Sequence, residues 1–198
     1  MKRYRKKGLD PMARSMFEYL DRQGMAGDTV LEVGGGVGDV HIEMLKAGAA
    51  HAVSVELSPG YEDSAAELLR HEGLTDRVER RIGDFADDFA AFAPADHVVM
   101  NRVLCCYPDM PKLMNAALSR TRGDLAATFP RDRWYNRLGI RAGNWYLRRR
   151  RVAFQAFVHS PDDMVAFAAH SGYEVVYTDH NFMWQAVVFR PTEADSAA

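Results

Sequence analysis

The chain has 198 residues, 47% of them hydrophobic, enough to bury the core of a single domain. No apolar stretch approaches the ~20 residues of a membrane span, and the two cysteines, Cys105 and Cys106, are adjacent and cannot build a disulfide framework. The formal charge of −2 hides an uneven distribution: eight arginines lie between Arg131 and Arg151 against one acid, Asp132. Such a segment attracts an anionic substrate, a phosphate backbone or a membrane surface, or is a solvated helix face.

In chain order, a basic stretch from Met1 to Lys7 runs into Gly8-Leu9-Asp10-Pro11 instead of an apolar leader, so a cytoplasmic location is expected. Asp10-Pro11 has the form of an N-cap followed by a first-turn proline, and Phe17, Leu20 and Met25 give an apolar stripe to a helix ending near Gly24. Short apolar or β-branched runs follow at Thr29–Val33, His51–Glu56, Val78–Ile82, His97–Met100, Leu125–Phe129, Tyr173–Thr178 and Phe182–Phe189. Helical candidates separate the first five, which predicts right-handed crossovers and a parallel sheet covered on both faces. Ser58-Pro59, Asp109 and Ser160-Pro161 mark starts for helices over 60–71, 110–119 and 164–170. Only Asp179-His180-Asn181 separates the last two runs, which permits an antiparallel hairpin alone. The chain is therefore expected to be one domain over 1–198, with a basic flexible arm at 1–9, a lid-like insertion at 130–158 and a flexible tail at 191–198.

Between the first strand and the first crossover helix the chain reads Glu32-Val33-Gly34-Gly35-Gly36-Val37-Gly38. Four glycines in five positions mark a tight turn or a close ligand approach. The spacing fits neither the nicotinamide fingerprint, since position 39 is Asp39, nor a P-loop, since no Gly-Lys-Ser/Thr follows. Glu56 ends the next strand about 20 residues on, where a carboxylate can accept both ribose hydroxyls of a nucleoside. Asp84 ends the third, where a carboxylate can receive an adenine amine and Phe85 can cover the ring. Either acid alone could be a simple cap; three successive strand ends in one sheet point to a ligand crevice.

With these motifs the chain resembles the class I S-adenosylmethionine-dependent methyltransferases over about residues 10 to 190. The resemblance implies an α/β, Rossmann-like doubly wound seven-stranded sheet in the order 3-2-1-4-5-7-6, with strand 7 antiparallel and helices on both faces. It also implies that Gly34, Gly36 and Gly38 wrap the methionine moiety, that Glu32 reaches its amino group, and that Glu56, with Leu57 beside it, holds the ribose. Asp84 and Phe85 would take the adenine, and Asn101 would border the cofactor from the fourth strand. The string Arg102-Val103-Leu104-Cys105-Cys106-Tyr107-Pro108-Asp109 is similar to a bacterial subgroup distantly related to magnesium-protoporphyrin O-methyltransferases.

The fourth strand's end faces the same crevice, which makes Asn101, Arg102 and Tyr107 candidates for the acceptor side. Asn101 is not followed by Pro-Pro-Tyr, the sequence that holds a planar base in amino-methyltransferases of nucleic acid. Trp134, Tyr135, Trp145 and Tyr146 in the insertion are expected on a substrate lid, with Trp134 and Tyr135 touching substrate. His159 sits beside a capped helix and is either a surface residue or a base. No histidine pairing at metal-ligand spacing occurs, so no metal is expected. The expected activity is methyl transfer to an oxygen, nitrogen or carbon nucleophile of a small, anionic aromatic molecule, with catalytic candidates His159, Tyr107 and Asn101. RNA modification, and cofactor binding without turnover, are the alternatives, and a monomer or homodimer is expected.

Overall fold

The computed structural model describes residues 2–192; the remainder of the expected tail, 193–198, lies outside the described residues. Seven strands form one sheet: β1 Thr29–Val33, β2 His51–Glu56, β3 Val78–Ile82, β4 Ala95–Asn101, β5 Thr121–Pro130, β6 Tyr173–His180 and β7 Trp184–Pro191. Their order is β3-β2-β1-β4-β5-β7-β6. All pairings among β1 to β5 are parallel, and β7 runs antiparallel to both β5 and β6. This is the expected topology, with β4 and β5 longer than their apolar runs.

The helices are α1 Lys2–Lys7, α2 Pro11–Gln23, α3 Asp39–Lys46, α4 Glu62–Glu72, α5 Phe85–Asp88, α6 Met110–Ser119, α7 Trp134–Arg149 and α8 Pro161–His170. The inferred caps are made: Asp10 accepts from the Met12 and Ala13 N–H, Asp109 from Lys112 and Ser160 from Asp163. Ser58 caps a 3-10 turn at Pro59–Tyr61 that precedes α4, so α4 starts two residues later than position 60. The 1–9 segment, expected as a flexible arm, is helical over Lys2–Lys7, and Tyr4 is buried with its hydroxyl bonded to Glu43. An aromatic ring within the basic run gives this helix something to bury.

Period-2 alternation divides the core in two. Leu31, Met100, Leu125, Ala127 and Phe129 face α5, α6 and α8, while Val30, Val99, Ala126 and Val188 face α1 to α4. Each helix supplies one apolar stripe: Met16 and Leu20 of α2 are fully buried against the second face, and Leu113 and Met114 of α6 lie in the first. The terminal hairpin turns at Asn181-Phe182-Met183, not at 179–181. The Asn181 carboxamide oxygen accepts from the Met183 and Trp184 N–H at 2.9 and 2.8 Å, which closes the turn and leaves Phe182 and Met183 exposed. Among the described residues no helix is long and apolar enough to cross a membrane.

At the amino end of the sheet, Asp96 accepts from the Thr29 N–H and hydroxyl and from Arg122. Burial by itself would raise its pKa, but these bonds outweigh it and hold the carboxyl at about 2. A carboxyl lowered below the unfolded value of about 3.9 stabilises the fold fully above that pH and loses the contribution as pH falls toward 2. Denaturant midpoints are therefore expected to drop between about pH 4 and pH 2, and less steeply in Asp96→Asn. Leu20→Ala should cost about 2–5 kcal/mol at neutral pH by the same measurement, because α2 cannot collapse onto a sheet it already contacts closely.

Candidate active site

The carboxyl ends of β1 to β4 open into one crevice, where a cavity of about 530 Å³ is walled by Gly34, Gly36, Glu56, Leu57, Asp84 and Phe85, among others. A second cavity of about 200 Å³, lined by Asp10, Glu32, Gly34 to Val37, Asp39 and Asn101, shares Gly34, Gly36, Tyr61, Asn101 and Arg102 with the first. The two are arms of one site.

The glycines have separate reasons. Gly34 has φ +65°, and a Cβ there would meet Val103 Cγ2 at 2.5 Å. Gly38 has φ +89°, and its Cβ would meet the buried His41 ring at 2.3 Å. Both serve the chain's own packing. Gly36, at φ +52°, borders both cavities, and a Cβ there would have nothing within 4 Å. Only this one leaves space that a ligand can use.

Glu56 is buried, with Oε2 accepting from the Gly36 N–H at 2.8 Å and Oε1 from the Ser58 N–H at 2.9 Å. It thus ties the glycine turn to the end of β2. Asp84 caps α5 through the Ala86 N–H at 3.0 Å, and its Oδ2 accepts from the Tyr107 hydroxyl at 3.2 Å. Burial and the adjacent Asp84 charge raise the Tyr107 pKa. Tyr107, expected at the acceptor end, therefore stands with Asp84 and Phe85 on the wall of the large cavity.

Glu32 lines the small cavity, but its Oε2 is bonded to the His41 ring and lies 3.3 Å from the His41 backbone N–H. His41 is fully buried, and its Nε2 has no hydrogen-bond partner among the described residues. The sequence reading missed His41, since nothing in a helix pattern says that a histidine will lie beneath a glycine. Asp10, read only as a cap, also lines the small cavity. Its Oδ2 accepts from Asn101 Nδ2 at 3.4 Å, and its Oδ1 lies 3.4 Å from the Arg102 guanidinium. The acid three strands away in sequence terms gave no spacing signal.

Asn101 accepts from the Thr128 hydroxyl at 2.6 Å, which orients its amide. Arg102 has φ +62°, a rare conformation for a residue with a Cβ, stabilised by its N–H donating to Thr128. The bend sends the guanidinium over the Trp184 ring at 4.4 Å, at the junction of the two cavities. Cys106 lines the large cavity, and contact with the buried Cys105 lowers its pKa.

The insertion is only partly as expected. Trp134 is 74% exposed, and neither it nor Tyr135 lines either arm of the site. Tyr135 stacks on Phe182 at 4.4 Å and donates to the Phe182 carbonyl. Phe154, from the coil after α7, reaches the large cavity instead. Asn144 of α7 brackets Ala156 with two hydrogen bonds, and the Phe157 N–H donates to the Cys105 carbonyl, which carries this coil back to the site. His159 Nε2 lies 2.9 Å from the Tyr107 carbonyl and does not line the cavity. That contact ties His159 to the loop that follows β4. Among the described residues, no three His, Cys, Asp or Glu side chains converge as a metal site.

The strand order, the glycine turn and the acids at successive strand ends define the class I methyltransferase fold. A family model described as a methyltransferase domain matches residues 1–178, and the chain belongs to that family. Ribosomal protein L11 methyltransferases of Enterobacter sp. (strain 638) and Yersinia pestis are each 30% identical over 94 residues, 48% of this chain and 31% of theirs. The match thus spans about a third of the length of these relatives. Magnesium protoporphyrin IX methyltransferase from Synechocystis, solved with bound S-adenosylhomocysteine, superposes with a TM-score of 0.75 at 15% identity, covering 91% of this chain and 82% of that one. An O-methyltransferase family protein from Burkholderia thailandensis gives 0.73 at 17%, covering 92% and 55%. At such identities the likeness is one of fold.

Gly36→Val is expected to abolish binding of S-adenosylhomocysteine in calorimetry while the melting transition stays cooperative. Gly38→Ala should instead destabilise the fold by about 2–4 kcal/mol, from the left-handed backbone and the collision with His41. Equal effects of the two on binding and on stability would show that the turn has no division of labour.

Proposed function

We propose that this domain transfers the methyl group of S-adenosylmethionine to a nucleophilic oxygen, nitrogen or carbon of a small, anionic, partly aromatic acceptor. The observation that carries the reading is the two-armed cavity with Gly36 at its junction and Glu56 and Asp84 on its wall. The residues present fit the cofactor: Gly36 leaves a cradle that a side chain would fill. Glu56 would hold the ribose hydroxyls and Asp84 the adenine amine, since each carboxylate oxygen keeps a lone pair beyond the bonds described above. The small arm, with Asp10, Glu32 and Asn101, suits the charged methionine end.

When bound, the cofactor supplies an electrophilic methyl on a sulfonium centre. The chain's part is to orient the acceptor and exclude water, effects that can account for most of the acceleration in a displacement of this kind. Arg102 would grip an acceptor carboxylate in bidentate fashion, exchanging its loose contact with Asp10 for it. Phe154 and Cys106, on the wall of the same cavity, offer apolar surface to an aromatic body. His159 acts as a positioning residue through the Tyr107 carbonyl. A tetrapyrrole-like acceptor belongs in the first screen, on the likeness to the Synechocystis enzyme.

Transfer of radiolabelled methyl to carboxylated aromatic acceptors, assayed beside bulk transfer RNA, tests the reading. Arg102→Ala should lower kcat/KM by about 10- to 100-fold with unchanged cofactor affinity, the scale of a lost charged hydrogen bond. His159→Ala should lower kcat by less than about tenfold, well short of the loss of a general base. Asp84→Ala should weaken S-adenosylhomocysteine binding by about 1–3 kcal/mol. Tight NAD binding without S-adenosylhomocysteine binding would overturn the cofactor assignment, and labelling of RNA alone would overturn the acceptor class.

A further inference from the structure

Helix α7 is 16 residues long, and Asn136 is its only buried residue. Trp134, Leu138 and Trp145 are 74%, 61% and 53% exposed, and on a 3.6-residue helix they fall within about 40° of one another. Arg137, Arg141, Arg148 and Arg149 flank that stripe within the same half of the helix surface. The Arg149 guanidinium lies 4.3 Å from the Trp145 ring centroid, an aliphatic stem and a cation laid along an aromatic surface. Val152, just past the helix end, is also exposed. The only acid of the segment, Asp132, is already paired with Arg137.

We infer that this face docks on an anionic lipid surface, with the tryptophans and Leu138 at the headgroup boundary and the arginines among the lipid phosphates. Exposed tryptophan and leucine on one stripe, bordered by arginine, is what an interfacial helix needs. Residues 131–151 carry a formal +7 in a chain of net −2, so the rest of the molecule is repelled by the surface that this segment meets. A second copy is a poor occupant, because face-to-face contact would press two arginine clusters together. RNA would take the arginines but leaves Leu138 and Val152 without an apolar partner. The inference does not rest on the methyl-acceptor reading. It would place the cavity near the lipid, since the coil that carries Val152 also carries Phe154 into the cavity wall.

The test is flotation of the full chain with vesicles of phosphatidylcholine alone and of equal parts phosphatidylcholine and phosphatidylglycerol, in about 0.1 M salt. Binding is expected with the anionic vesicles only, with a blue shift of tryptophan emission. Leu138→Ser combined with Trp145→Ser leaves the charge unchanged and should weaken binding on the order of tenfold. Arg148→Gln combined with Arg149→Gln should weaken it similarly and reduce its salt dependence. Melting and S-adenosylhomocysteine binding of each variant confirm that the fold persists. Failure of the wild type to float with anionic vesicles overturns the inference. So does undiminished binding by the Leu138/Trp145 variant, or displacement of the vesicles by RNA whose own binding falls in that variant.

Discussion

The site depends on how the chain leaves β1, and that turn is built over a buried contact between Glu32 and His41. The Glu32 carboxylate, on the penultimate residue of β1, takes both the His41 ring and its N–H, so the strand end and the first turn of α3 are fixed to each other. The backbone must then pass directly over the imidazole, and only glycine at position 38 clears it. A buried pair of this kind is a poor source of net stability but a strong constraint on geometry, because breaking it would leave an uncompensated polar group inside. Its consequence appears one turn earlier, where Gly36 meets empty space.

The same turn is held from its other side by Glu56, which accepts the Gly36 N–H while reaching the backbone after β2. Arg80, from β3, donates to the Gly36 carbonyl and pairs with Glu62 of α4. Two neighbouring strands, β2 and β3, thus grip one residue of the turn after β1. A cavity-wall acid that also anchors the loop keeps the site in shape before any ligand arrives, which lowers the ordering cost of binding. Asp84 does likewise, serving as helix cap and as acceptor from Tyr107.

The acceptor side is built differently. Arg102 occupies a left-handed backbone conformation at the end of β4, kept there by Thr128 on the neighbouring strand. Its guanidinium is held by one contact at 3.4 Å and one aromatic face, and its side chain is 42% exposed, so it can move to a new partner at small cost. Firmly bonded acids and a loosely held cation beside them suit the division between cofactor and acceptor proposed above. Helix α7 stands outside this division, since Asn136 is its one buried residue and its exposed aromatic side chains are not among those that wall the large cavity.

The sequence by itself determined the topology and brought the glycine turn, Glu56 and Asp84 to one crevice. Apolar runs alternating with capped helices leave little choice but right-handed crossovers, and the glycine turn, Glu56 and Asp84 come in an order that only successive strand ends explain. The short polar link before β7 was legible as a hairpin, but its position shifted by two residues because the Asn181 side chain closes the turn. Tertiary structure alone decided which glycine opens onto ligand space, because that depends on what lies across from each Cβ: Val103 opposes Gly34 from far along the chain, and His41, three residues after Gly38, is turned beneath it by its buried contact with Glu32. It also brought Asp10 beside Arg102, moved Tyr107 to Asp84, and replaced Trp134 and Tyr135 by Phe154 at the cavity. Helical periodicity states that residues share a face; what that face meets is settled by chain segments that packing brings together from elsewhere.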